Sequence, residues 1–182
     1  MKDFVGYRLP SFKDEESQMV RGSYDFIALN YYTATYVRDA PEAANGPPSV
    51  VTDPRVAYET ERDGGGSSWI RVYPAGIQEF MVYMKEKYEN PDIFISENVR
   101  TLAVAHDQNH ILPHLSPLVF GPSIDGVNVK GYFIWSLTDN FEWGASIYSR
   151  FGNVFIDYDK GHTRNPKLSA EWFRVHLLKP TP

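Results

Sequence analysis

The hydrophobic pattern changes period several times along the chain, and each change marks an element. Residues 12–22 are polar, with Asp14, Glu15 and Glu16 early and Gly22 at the end, which predicts a short surface helix. Residues 24–32, YDFIALNYY, form an apolar run finishing in polar aromatics, the pattern of a buried strand. From Thr33 to Ser68 the period is lost among Pro41, Gly46-Pro47-Pro48, Pro54 and Gly64-Gly65-Gly66, so a long loop is expected there. Pro74 then opens a helix whose Ile77, Phe80, Met81, Met84 and Tyr88 share one face and predict core. Asn90-Pro91 stops it, and Asp92-Ile93-Phe94-Ile95-Ser96-Glu97-Asn98 reads as the next strand. A third strand begins at Gly131, and a final helix is expected to bury Leu168, Trp172 and Val175. Strands and helical segments thus both occur along the chain.

The strand Tyr132-Phe133-Ile134-Trp135 turns polar abruptly, through Ser136, Thr138, Asp139, Asn140 and Glu142, with Trp143 beside the acid. Carboxylates accept sugar hydroxyls in pairs, and indole faces stack on sugar C–H faces, so this pattern fits the rim of a carbohydrate site. A core strand followed by a solvated turn is equally open on composition alone. Glu97 ends another apolar strand, the place where parallel barrels put their chemistry. Tyr31 and Tyr32 could simply close a core strand.

Composition narrows the classes. The 182 residues are long enough for one good-sized core, aromatics reach 15%, and the net charge is −5. With no basic stripe, neither nucleic acid nor an anionic membrane is an expected partner. No apolar run approaches a membrane span, and no signal peptide opens the chain; the compartment stays undetermined. The absence of cysteine removes disulfides, thiol nucleophiles and zinc ribbons. The glycines of 64–66 lack the following Lys-Ser/Thr of a phosphate cradle. His106, His110 and His114 recur every four residues, which would align three imidazoles on a helix. Pro113 interrupts that helix, leaving a metal site and a chance recurrence both open.

The segment WSLTDNFEW, followed eight residues after Trp143 by Phe151 in RFG, resembles the sugar-binding signature of glycoside hydrolase family 1, the β-glucosidase-type family. The resemblance implies that Trp135 stacks on the glucose ring, Glu142 and Trp143 take sugar hydroxyls, and Phe151 closes the pocket. DFIALNYY is similar to the family's sixth barrel strand, which implies that Asn30 and Tyr32 face the site and that Tyr32 hydrogen-bonds the nucleophile. IFISEN resembles the motif carrying that nucleophile, and the role passes to Glu97. VAYETERDG followed by SSW is similar to the plant branch of the family, including its alkaloid glucosidases, so Trp69 is the candidate for the aglycone side. DGVNVKGYFIWSL and FGNVFIDYDKGHTRNPKLSAEWF resemble the eighth strand and the tail, so the likeness covers roughly 1–98 and 125–177.

The sequence departs from the pattern at several points. Ser146-Ile147 stand where the family usually has Gly-Tyr, Val99 where it has Gly, and Asn165 where it has an aromatic. Residues 99–124 are unlike the family's helix between strands seven and eight and, with Pro113, Pro117, Gly121 and Pro122, are not expected to form it. The family's acid/base motif, Asn-Glu-Pro, is not found in the 182 residues. The resemblance implies an α/β fold, a partial (β/α)8 barrel, about strands six to eight with their helices, with residues 1–182 as the C-terminal portion of a single barrel domain. It implies retaining hydrolysis of a small-molecule β-D-glucoside without metal or organic cofactor. The second reading is a catalytically inactive fragment or pseudoenzyme, at most a weak sugar-binding or interaction protein. Unpaired strand edges would then invite self-association.

Overall fold

The computed structural model describes residues 2–41, 46–59, 70, 73–99 and 124–177. In chain order the elements are α1 (Lys2–Val5), α2 (Asp14–Val20), β1 (Ile27–Tyr31), β2 (Tyr36–Asp39), β3 (Val56–Glu59), α3 (Pro74–Lys87), β4 (Ile93–Val99), β5 (Val129–Trp135), β6 (Val154–Asp157), β7 (Thr163–Pro166) and α4 (Leu168–Leu177). They fall into two compact units, one of Met1–Asp25 with Thr35–Asp63 and one of Phe26–Ala34 with Gly64–Pro182.

The first unit is small and mostly exposed. Helix α2 lies inside the expected 12–22 span; Glu16 reaches back to accept from the Lys13 backbone N–H at 2.8 Å, and Gly22 follows at φ +68°. The loop expected over 33–68 is corrected in part, because β2 and β3 pair antiparallel from Tyr36 opposite Glu59 to Asp39 opposite Val56. Four-residue strands, one of them exposed throughout, leave too few positions for a period of two to show. Arg8 grips Asp53 through two hydrogen bonds, at 2.7 and 3.1 Å.

The second unit is built on a parallel sheet of order β1-β4-β5. Burial alternates along β1, as a strand with one covered face requires. Ile27, Leu29 and Tyr31 of β1 pack with Ile93 and Ile95 of β4, and with Val129 and Tyr132 of β5, against Ile77, Met81 and Met84 of α3. Those three helix residues recur at i, i+4 and i+7, the stripe that meets a sheet. Phe80 and Tyr88, expected on the same buried face, are 37% and 42% exposed. Phe80 flanks the stripe, and Tyr88 has left the helix, its backbone N–H closing the last turn onto the Met84 carbonyl. The final helix is also rotated from expectation: Leu168 and Val175 are exposed, whereas Ser169 is buried and Phe173 stacks on Tyr132 at 6.1 Å. Ser169, Trp172 and Phe173 stand at i, i+3 and i+4, so the inward stripe is one residue displaced.

Candidate functional site

Because β1, β4 and β5 run parallel, their carboxyl ends share one edge of the sheet. The register sets Asn30 beside Glu97, Tyr31 beside Asn98 and Val99 beside Trp135. Residues from three separate stretches of sequence therefore meet on one rim, as in parallel barrels. The Tyr32 hydroxyl donates to Glu97 Oε2. Next to it, the Ser96 hydroxyl donates to Asn30 Oδ1 at 2.7 Å, so Asn30 is held on the same rim.

The polar segment after β5 builds the other side. Trp135 Nε1 donates to both oxygens of Glu142 at 3.2 Å, and Asn140 Nδ2 donates to Glu142 Oε1 at 2.9 Å. Glu142 is buried, and a buried carboxylate with several donors is held in a fixed orientation. The Trp135–Ser136 peptide is cis. Phe151 is 4% exposed and packs on Ile70, with Tyr32 and Trp135 against the pair. This contact joins the end of β1 to the segment after β5, and brings together four residues, three of them predicted site residues.

A charged network behind the rim holds that segment. The Asp139 side chain, fully buried, accepts from Lys167 Nζ at 2.8 Å and from the Gly152 backbone N–H at 2.9 Å, with Arg150 at 3.6 Å. Gly152 follows Phe151, and a Cβ on it would run into the Thr138 and Asp139 backbone, so only glycine admits this approach. Ser146 has φ +52° and ψ −142°, a conformation that glycine reaches without strain, and its carbonyl accepts from the Glu142 N–H at 2.8 Å. That explains why the departure from Gly at this position carries strain beside Glu142.

Not every predicted residue joins the cluster. Trp143 sits in a 3-10 turn and is 81% exposed. Trp69, the histidines of 106–114 and residues 100–123 lie outside the described residues. Among the described residues, no group of three or more His, Cys, Asp or Glu could hold a metal ion. Sequence reasoning gave no individual role to Ile70, Asn98 or Asp139. Buried Asn98 lies beside Glu97, and Asp139 inside the signature, so proximity to the motifs was the available signal.

Comparison with known proteins identifies the family and the fold. The family described as Glycosyl hydrolase family 1 matches residues 1–179. Raucaffricine-O-β-D-glucosidase of Rauvolfia serpentina is 46% identical, over 94% of this chain and 35% of its own length. Oleuropein β-glucosidase of Olea europaea is 42% identical, over all of this chain and 36% of its own length. The chain thus spans little more than a third of the curated relatives it matches. Among solved structures, the β-glucosidase of Trichoderma harzianum superposes with a TM-score of 0.75 at 34% identity, covering 97% of this chain and 41% of that one. A β-glucosidase of the fungus Humicola insolens in complex with glucose gives 0.75 at 28% identity, over 97% and 40%. The three parallel strands and their helix are therefore part of a barrel of the β-glucosidase type, and the chain belongs to glycosyl hydrolase family 1.

Proposed function

We propose that the chain is the C-terminal portion of a single barrel domain and carries the nucleophile and sugar-holding half of a retaining β-glucosidase. In this reading a Glu97 oxygen bonds the anomeric carbon as the bond from that carbon to the leaving oxygen breaks, the electron pair departing with the oxygen. Tyr32 orients Glu97 through its hydroxyl. Asn30, Trp135, Glu142 and Trp143 hold the sugar, Phe151 closes the pocket and Trp69 faces the aglycone. The observation that carries the reading is the Tyr32 hydroxyl on Glu97 at the shared rim of three parallel strands. The glucose complex of the fungal relative supports a glucoside as the substrate class.

Retaining hydrolysis also needs a second carboxyl about 5–5.5 Å from the nucleophile to protonate the leaving oxygen. The Asn-Glu-Pro motif that would supply it is not in these residues. Losing general acid catalysis costs on the order of 10²–10⁴ in rate. A substrate whose leaving group departs as a stable phenolate needs no such proton. The test is therefore covalent labelling with 2,4-dinitrophenyl 2-deoxy-2-fluoro-β-D-glucoside, read by peptide mass spectrometry. The expected adduct sits on Glu97 and disappears in Glu97→Gln, while alkyl β-glucosides are not turned over. Absence of any adduct would favour the inactive fragment, a reading the missing motif already supports.

A further inference from the structure

We infer that Asn98 is the positioning residue that keeps Glu97 and Tyr32 in contact, by bridging all three strands of the sheet through one buried amide. The inference rests on the reading of Glu97 as nucleophile. Asn98 follows Glu97 on β4 and is 6% exposed. Its Nδ2 donates to the Tyr31 carbonyl oxygen at 2.5 Å, on the residue just before Tyr32. Its Oδ1 accepts from the Tyr132 hydroxyl at 2.8 Å, on β5. A single side chain therefore ties the end of β1 to β5, and does so at the residue adjoining the nucleophile.

The backbone alone does not keep this alignment. The β1–β4 register slips between Leu29 and Asn30, and the β4–β5 register slips between Ile95 and Asn98. Each irregularity interrupts the ladder at the rim, where Tyr32 must meet Glu97. The amide crosses the second interruption, reaching Tyr132, the register partner of Ile95, and ties the strands just past the first by bonding Tyr31, its own register partner. Its far anchor is fixed in turn, since the Tyr132 ring stacks on Phe173 of α4 at 6.1 Å with the planes 23° apart. An aspartate at position 98 would lack the donor for the Tyr31 carbonyl, and an alanine would lack both partners.

The experiment compares the parent chain with Asn98→Ala and Tyr132→Phe, the latter removing one hydroxyl and serving if the former does not fold. The first readout is labelling by the fluoroglucoside. Asn98→Ala is expected to lower the rate constant at saturating reagent on the order of 10²-fold. The half-saturating concentration should change by less than about twofold, since Trp135 and Glu142 are untouched. Tyr132→Phe should move the same rate constant in the same direction by less. The second readout is the crystal structure of each variant, in which the Tyr32 hydroxyl should lie beyond about 3.5 Å from the Glu97 carboxylate. A contact retained in both variants overturns the inference, as does a loss confined to half-saturation. Failure of the parent chain to label overturns the nucleophile reading instead, and the Tyr32–Glu97 separation still decides the role of Asn98.

Discussion

The two faces of the three-stranded sheet differ in burial. On one face α3 covers Ile27, Leu29, Ile93, Ile95 and Val129, and Met81 and Ile95 are completely buried. On the other, Ala28 and Asn30 are exposed, as are Phe26 at 53% and Phe133 at 59%. Phe94 meets Phe26 edge-on at 5.1 Å and lies over Gly131. Parallel sheets ordinarily have both faces covered, and their strands read as apolar on both sides. Among the described residues this sheet carries such cover on one face and is exposed on the other. The candidate site sits where the two faces end, at the carboxyl rim.

The strongest break of the contrast is a cavity on the covered face. Met81→Ala is expected to lower unfolding stability by about 2–5 kcal/mol, read by urea denaturation. One glycine lies on each face. A Cβ on Gly76 of α3 would collide with the Tyr31 hydroxyl and meet the Tyr73 ring at 2.6 Å, inside a packed layer. Gly76→Ala should therefore destabilise by about 1–3 kcal/mol, reversing the usual helical gain from alanine. On the open face a Cβ on Gly131 would meet the edge of the Phe94 ring at 2.8 Å. That ring can swing toward solvent, so Gly131→Ala should cost less than about 1 kcal/mol by the same measurement.

Tyr31 offers a titration that reports on the covered face alone. Burial, with smaller contributions from Glu79 and Tyr73, pushes its hydroxyl up to about 12, and the hydroxyl donates to the Tyr73 carbonyl at 2.9 Å. The folded state thus holds this proton more tightly than the unfolded chain does. The associated stability is present below pH 10, the ordinary value, and is lost as pH rises toward 12. Because the residue is only half-buried, screening reduces the loss to about 1 kcal/mol. Denaturation midpoints between pH 9 and 12 should show that slope in the parent chain and a shallower one in Tyr31→Phe. The smallest effect belongs to the open face, where Phe133→Ser should change stability by no more than about 0.5 kcal/mol. Sedimentation should show less self-association in that variant if the exposed phenylalanines are what join copies.

Much of the site was legible without coordinates because its residues end apolar runs. Glu97 closes IFIS, Tyr32 closes FIALNY, and the Trp135–Phe151 signature follows YFI, so strand ends and candidate site residues coincide. The β2–β3 hairpin was not legible, since two four-residue strands, one of them exposed throughout, are too short to show a period. The inward faces of α3 and α4 were only partly legible. A stripe of apolar residues fixes that a helix is amphipathic, while the neighbour it meets decides which of Phe80, Tyr88, Leu168 and Val175 are covered.

Most local elements, the family likeness and the residue types at the strand ends are readable from the chain alone, because period, turn chemistry and motif spacing are properties of neighbours along it. The contact of Tyr32 with Glu97, the packing of Phe151 with Trp135 and Ile70, and the hydrogen bonds of Asn98 and Asp139 emerge from the folded arrangement. Those contacts join residues far apart in sequence. They depend on strand register and on one-residue slips in it, which no pattern along the chain encodes.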